Sequence, residues 1–210
     1  MIVLSIKPFK LQPGKKSQKY VVSLEGDKYI VLYRGDLSKY SIREMEELSE
    51  DAYEEIINHL LPKRAESRLL HLLEKKDYTE QQLRQKLHEG GYPESAIDAA
   101  IMTMKEYNYI NDERYANRYI QFQIEKKTKL QLTQELIRKG IRKELITEAF
   151  QHLEEEGTIG DEMELAVKLL EKRHYSYDVA DTKEYAKQYN YLQRKGFSAS
   201  TIQKALNKMS

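Results

Sequence analysis

The sequence predicts a mainly α-helical chain: a tandem array of three three-helix, helix-turn-helix-like repeats behind a small N-terminal β-hairpin module. Three observations carry this reading. One helical pattern occurs three times and aligns on Gly91, Gly140 and Gly196, about 50 residues apart. Tyr20 to Leu24 and Tyr29 to Tyr33 are rich in β-branched and aromatic residues, as strands are, and flank a Glu25-Gly26-Asp27-Lys28 turn. Composition is 40% hydrophobic and 33% charged with a mean hydropathy of −0.75, which suits helices with much surface for their core.

The first copy of the pattern reads Leu87, Gly91, Tyr92, Ile97, Ala100, Ile101 and Met104. The second reads Leu136, Gly140, Ile141, Ile146, Ala149, Phe150 and Leu153, and the third Leu192, Gly196, Phe197, Ile202, Ala205, Leu206 and Met209. Seven positions that keep their character three times over mark a repeated supersecondary unit. Such arrays present long surfaces to partners rather than one catalytic pocket.

In chain order, Tyr20 to Leu24 and Tyr29 to Tyr33 form the hairpin. A lone hairpin is marginal in water, so a third strand from residues 2–11 or a covering helix is expected. Pro13, Gly14, Lys15, Lys16 and Ser17 read as an exposed turn. Ser49 caps a helix whose first turn carries Glu50 and Asp51, where the helix dipole favours acids. Ile56, Ile57, Leu60 and Leu61 form its apolar face, and Pro62 is expected to end or kink it near residue 61.

In the first repeat, helix one carries Leu69, Leu70, Leu72 and Leu73, and Thr79 with Gln82 forms a capping box that opens helix two. Gly90-Gly91 ends that helix, and Pro93 opens helix three. Ala100 recurs where close helix packing needs a small side chain. Asn111 or Asp112 caps the next repeat, Asp181 with Glu184 offers a capping pair, and Ser198 caps the last helix. The expected organisation is an N-terminal module at 1–62 and repeats at 63–110, 111–160 and 161–210.

Net charge is only +1, so local charge says more than the total. Residues 126–143 hold Lys126, Lys127, Lys129, Arg138, Lys139, Arg142 and Lys143 against the single acid Glu135, and acids follow at Glu144, Glu148, Glu154, Glu155 and Glu156. Arg138-Lys139 precede Gly140 as Arg194-Lys195 precede Gly196. In the first repeat Glu89 and Gly90 hold those places, and its cations Arg84 and Lys86 lie about a turn earlier. A solvated face with cations favoured at a helix C-terminus explains part of this. The recurrence favours contact with DNA phosphate or an acidic protein surface, which is salt-sensitive and indifferent to base sequence.

Other chemistry finds little support. His59, His71, His88, His152 and His174 lack metalloprotease spacing, and His152 with Glu155 reads as a surface pair. Gly90-Gly91 lacks the Lys-Ser/Thr of a phosphate loop. With zero cysteines, disulfides and thiolate metal sites are absent, which fits a reducing compartment, and no apolar run reaches the ~20 residues of a membrane span. A cytoplasmic, non-enzymatic monomer without cofactor or metal is expected. Sixteen tyrosines with no tryptophan raise the question of base stacking, but Tyr92, Tyr115 and Tyr119 and the group Tyr175, Tyr177, Tyr185, Tyr189 and Tyr191 read mainly as packing residues.

Three segments carry a family resemblance: Tyr78-Thr79 with Leu83, Lys86 and Leu87; Tyr109-Ile110-Asn111-Asp112-Glu113-Arg114-Tyr115-Ala116; and Glu135-Leu136 with Lys139-Gly140-Ile141. With the repeat and the hairpin before it, they resemble the RecX family of recombinase regulators over essentially the whole chain. Asn111 stands where the family often has Asp, and Thr79 where Ser is more usual, with the same capping chemistry. The resemblance implies curved arrays of three-helix repeats that bind the RecA recombinase and its filament on single-stranded DNA. It also implies restraint of filament growth, ATP hydrolysis, strand exchange and RecA-stimulated repressor cleavage. A DNA-binding repeat protein without a recombinase partner, and a pure protein scaffold, are the alternatives that residues alone leave open.

Overall fold

The computed structural model describes residues 1–9, 18–176 and 181–209. The turn expected at 13–17, the end of the expected third strand and Tyr177 lie outside the described residues. Packing divides the chain into two units, Met1–Ile110 and Asn111–Ser210.

The first unit opens with a three-stranded antiparallel sheet of β1 (Val3–Pro8), β2 (Lys19–Leu24) and β3 (Lys28–Tyr33) in the order β1-β2-β3. The third strand that a marginal hairpin needs is therefore β1. Gly26 (φ 77°) and Asp27 (φ 56°) turn the chain between β2 and β3. One sheet face buries Val22, Leu24, Ile30 and Leu32, and Val3 joins the same core with Ile42, Leu48, Ile56, Leu61 and Ala96. A short helix not foreseen from sequence, α1 (Arg34–Lys39), follows β3 directly. Its signal is the Asp36 carboxylate, which accepts the Tyr33 N–H at 2.8 Å.

Ser49 caps α2 (Glu50–Glu55) as expected, accepting the Ala52 N–H at 3.3 Å. Of the end or kink expected at Pro62, the end does not occur. The helix widens into a π segment (Ile56–Leu60), in which Leu61 N–H bonds back to Ile56 C=O, and continues as α3 (Leu61–Leu73). Proline lacks an N–H and crowds the carbonyl one turn earlier; the wider turn relieves both problems without breaking the helix.

The first repeat then adds α4 (Glu80–Glu89) and α5 (Glu94–Glu106). The second unit contains α6 (Asp112–Gln123), α7 (Lys129–Arg138) and α8 (Lys143–Glu155), then α9 (Glu162–Glu171), α10 (Thr182–Lys195) and α11 (Ala199–Lys208). In each repeat the first and third helices make the broadest contact: α3 with α5, α6 with α8 and α9 with α11. The repeated apolar positions are what they bury. Leu87, Leu136, Leu192, Ile97, Ile202, Ala100 and Ala205 are each 0% exposed. Of the leucines on α3, Leu69 and Leu72 are buried and Leu70 is exposed.

The caps follow the sequence closely. Thr79 and Thr128 form reciprocal boxes with Gln82 and Gln131. Asn111 rather than Asp112 caps α6, accepting the Arg114 N–H at 2.8 Å. Asp181 accepts the Glu184 N–H at 2.7 Å, while the Glu184 side chain turns to Lys187 and Gln188. Pro93 sits one residue before α5 as its N-cap. Each middle helix ends with its glycine at positive φ: 81° at Gly91, 91° at Gly140 and 97° at Gly196. Among the described residues no helix is long and apolar enough to cross a membrane.

Candidate nucleic-acid interface

The second unit gathers cations from two consecutive repeats. Lys126 and Lys127 come from the α6–α7 connection, Arg138 from the last turn of α7 and Lys195 from the last residue of α10; with Gln131, Gln134 and Glu135 they line one open concavity. The junction that brings them together is tight. Thr128 is 1% exposed, and its hydroxyl donates to the Lys195 carbonyl at 2.9 Å. A Cβ on Gly196 would lie 2.9 Å from Leu130 Cδ2, so the glycine end of α10 is pressed against the start of α7. The capping box that starts one helix thus also holds the end of another.

Glu135 is the concavity's single carboxylate. Lys127 Nζ donates to it at 2.7 and 2.9 Å and the Tyr119 hydroxyl at 2.6 Å. These bonds hold the Glu135 carboxyl below the usual carboxylate range, and the Glu135 contact holds the Lys127 ammonium above its usual value. Burial, then the bond to Glu135, pushes the Tyr119 phenol up, so it stays a neutral donor. Glu135 neutralises one charge, and Lys126 and Arg138 form no ion pair among the described residues.

The Arg-Lys-Gly recurrence has a structural counterpart. Lys139 Nζ stands 5.2 Å from the centre of the Tyr119 ring, and Lys195 Nζ 5.8 Å from that of Tyr191. A tyrosine face positions a cation without cancelling its charge, unlike a carboxylate. Tyr119 and Tyr191, expected to be packing residues, are half-buried and do this as well.

The remaining candidates divide. Arg142 is the N-cap of α8 and Lys143 its first residue; both are exposed, as is Arg194 in the last turn of α10. Lys129 pairs with Glu154 between α7 and α8. Arg84 is committed inside the fold, reaching Glu80 (2.9 Å), Glu94 (3.1 Å) and Asp98 (2.7 Å), with Glu80 also held by Lys105 (2.9 Å). Lys86 lies 5.3 Å from the Tyr78 ring centre in a different concavity, with Lys19, Tyr33, Arg68 and Tyr92. Sequence reading missed Lys19 and Arg68 because neither belongs to the repeated pattern. Beyond these cations, His152 pairs with Glu156 at 3.5 Å, one helical turn along, not with the expected Glu155.

Comparison with known proteins agrees with the repeat architecture. Residues 65–101, 111–149 and 160–206 match the first, second and third three-helix domains of RecX in turn. The regulatory protein RecX of Caldanaerobacter subterraneus subsp. tengcongensis is 30% identical over 194 residues, covering 92% of this chain and 94% of the relative. The regulatory protein RecX of Vibrio parahaemolyticus is 36% identical over 139 residues, covering 66% of this chain and 86% of the relative. A crystal structure of regulatory protein RecX superposes with a TM-score of 0.63 at 25% identity over 99% of this chain and 98% of that one. RecX from Lactobacillus salivarius, 22% identical over 71% of this chain and 96% of that one, shares the fold at a TM-score of 0.63. Three matched domains in order, and a relative aligned along nearly its whole length, establish that this chain belongs to the RecX family of regulatory proteins.

Proposed function

We propose that the protein regulates a RecA-type recombinase by binding the recombinase filament on single-stranded DNA, with its cations on the DNA phosphates. The observation that carries the reading is the convergence of Lys126, Lys127, Arg138 and Lys195 from two consecutive repeats, in a chain of the RecX family. One repeat alone would supply only part of that set. Lys139, Arg142, Lys143 and Arg194 extend the basic surface, Lys86 and Lys129 are secondary candidates, and Arg84 is left to its structural role. Phosphate contacts of this kind tolerate any base sequence and weaken with salt. In the mechanism we favour, repeats engage neighbouring recombinase subunits and restrain the rearrangement that accompanies ATP turnover, or block addition at a filament end.

The experiment is fluorescence anisotropy of a labelled oligothymidine, titrated with the protein alone and with a preformed RecA filament. Tighter binding to the filament than to bare DNA is the expected result. Equal affinity with and without RecA would instead identify a sequence-independent DNA-binding protein. No affinity for bare DNA, with filament binding intact after charge reversal of Arg138, Lys139, Arg142 and Lys143, would identify a protein scaffold.

A further inference from the structure

The first unit carries a second basic and aromatic surface, built by the N-terminal sheet together with α3 and α4 of the first repeat. The β2–β3 register sets Lys19 directly opposite Tyr33, Val21 opposite Val31 and Ser23 opposite Tyr29, so these side chains share one sheet face. It is the face turned away from the sheet's own core of Val22, Leu24, Ile30 and Leu32. At its centre Val31 meets the end of α4: a Cβ on Gly91 would lie 2.7 Å from Val31 Cγ2. At one side Lys19 Nζ donates to the Gly90 carbonyl at 3.1 Å and lies 5.1 and 5.2 Å from the ring centres of Tyr33 and Tyr92. Arg68 from α3 and Lys86 from α4 complete an open concavity that holds one carboxylate, Glu89. At the other end of the face Tyr29 is 65% exposed, about 13 Å along the strand from Tyr33 at ~3.3 Å per residue.

Three cations against one acid leave the concavity net positive. Neither Arg68 nor Lys86 forms an ion pair among the described residues, and Lys86 rests on the Tyr78 ring. The α4 dipole accounts for Lys86 in its last turn, but not for Arg68 on another helix or Lys19 on a strand. The exposed Tyr29 separates two classes of partner. An acidic protein segment needs only the cations, whereas a nucleic acid strand also offers bases that stack on a tyrosine ring.

We infer that this face of the N-terminal sheet, with the end of α4, is a second contact for single-stranded nucleic acid: Arg68, Lys86 and Lys19 take backbone phosphate and Tyr29 stacks a base. The inference rests on the nucleic-acid part of the proposed function but uses residues separate from the second-unit concavity.

The test is oligothymidine anisotropy across a salt series with the full chain, folding being checked by circular dichroism. Arg68→Gln/Lys86→Gln removes two phosphate contacts, worth about 1.4 in the log–log salt slope and about 25-fold in affinity at 0.1 M salt. Lys63→Gln/Lys75→Gln, an equal charge change at exposed positions outside the concavity, leaves the slope alone. Tyr29→Ala weakens binding about fivefold or more, and Tyr29→Phe, which keeps the ring, does not. A slope for Arg68→Gln/Lys86→Gln equal to that of the control pair overturns the inference. So does displacement of the oligonucleotide by inorganic phosphate at similar concentrations, which would mark a small-anion site, or a loss of recombinase binding with DNA binding unchanged. Loss confined to Lys126→Gln/Arg138→Gln overturns this inference alone; no DNA binding by the wild type overturns both it and the phosphate part of the proposed function.

Discussion

Gly91 allows a conformational cost and a packing cost to be separated within one chain. Its φ of 81° is a left-handed value that an L side chain adopts at about 1 kcal/mol or slightly more. Alanine there would also place its Cβ 2.7 Å from Val31 Cγ2 and 3.0 Å from Val31 Cβ, contacts that a β-branched strand residue cannot rotate away. Overpacking of that kind adds about 1–3 kcal/mol, so Gly91→Ala is expected to cost about 2–4 kcal/mol in all. Gly157 is the internal control: its φ is 65°, but a Cβ would meet nothing within 4 Å, so Gly157→Ala pays only the backbone part, about 1 kcal/mol. Urea denaturation of both variants gives the comparison. A Gly91→Ala cost no greater than that of Gly157→Ala would refute the close approach of α4 to the sheet.

Other expectations follow from single contacts. Asp36 is 5% exposed and receives Arg64 through both carboxylate oxygens at 2.5 and 2.7 Å. Burial raises its carboxyl, but the bonds from Arg64 and the Tyr33 N–H outweigh this and bring it below the usual value of 3.8. Because the folded-state value is depressed, the stabilisation is complete above about pH 4 and lost as pH falls toward the native value. Asp36→Asn is expected to cost about 2 kcal/mol at neutral pH, less than a fully buried pair because Arg64 keeps some solvent, and urea titrations should show that difference shrinking below pH ~4. Thr128→Ala removes a cap and the bond to Lys195, at about 1–2 kcal/mol; Thr128→Ser keeps both and should recover most of it by thermal denaturation. Arg84→Ala should lower the melting temperature yet leave the salt dependence of DNA binding unchanged, whereas Lys126→Gln/Arg138→Gln/Lys195→Gln should reduce the salt slope by about 2.

The repeats were legible in the sequence because their signals are local. A glycine at a left-handed helix end and apolar positions at helical spacing act within a few residues and recur in all three copies, and the middle helix opens on a Thr-x-x-Gln cap in the first two and on Asp181 in the third. The choice between an end and a kink at Pro62 was not legible, since it turns on a π segment that the local code does not announce. Nor was α1, whose Asp36 is fixed by Arg64, 28 residues away. The candidate site shows the same division. Cation density and the Arg-Lys-Gly recurrence pointed to Lys126, Lys127, Arg138 and Lys195, which converge. Density also swept in Lys129, and the recurrence brought in Arg84 as the first repeat's displaced counterpart; their carboxylate partners Glu154 and Asp98 lie 25 and 14 residues on, on neighbouring helices. Lys19 and Arg68 lay outside any pattern; the register of Lys19 opposite Tyr33 was the one available clue.

Restraint of a recombinase filament by this chain is read most directly from single-stranded-DNA-dependent ATP hydrolysis by the cognate RecA across a titration of this protein. Inhibition is the predicted result. Onset well below one copy per RecA would indicate end-blocking, and onset near stoichiometric occupancy would indicate bridging along the filament. Unchanged hydrolysis at saturating protein, with DNA binding intact, would show that the chain does not restrain the filament.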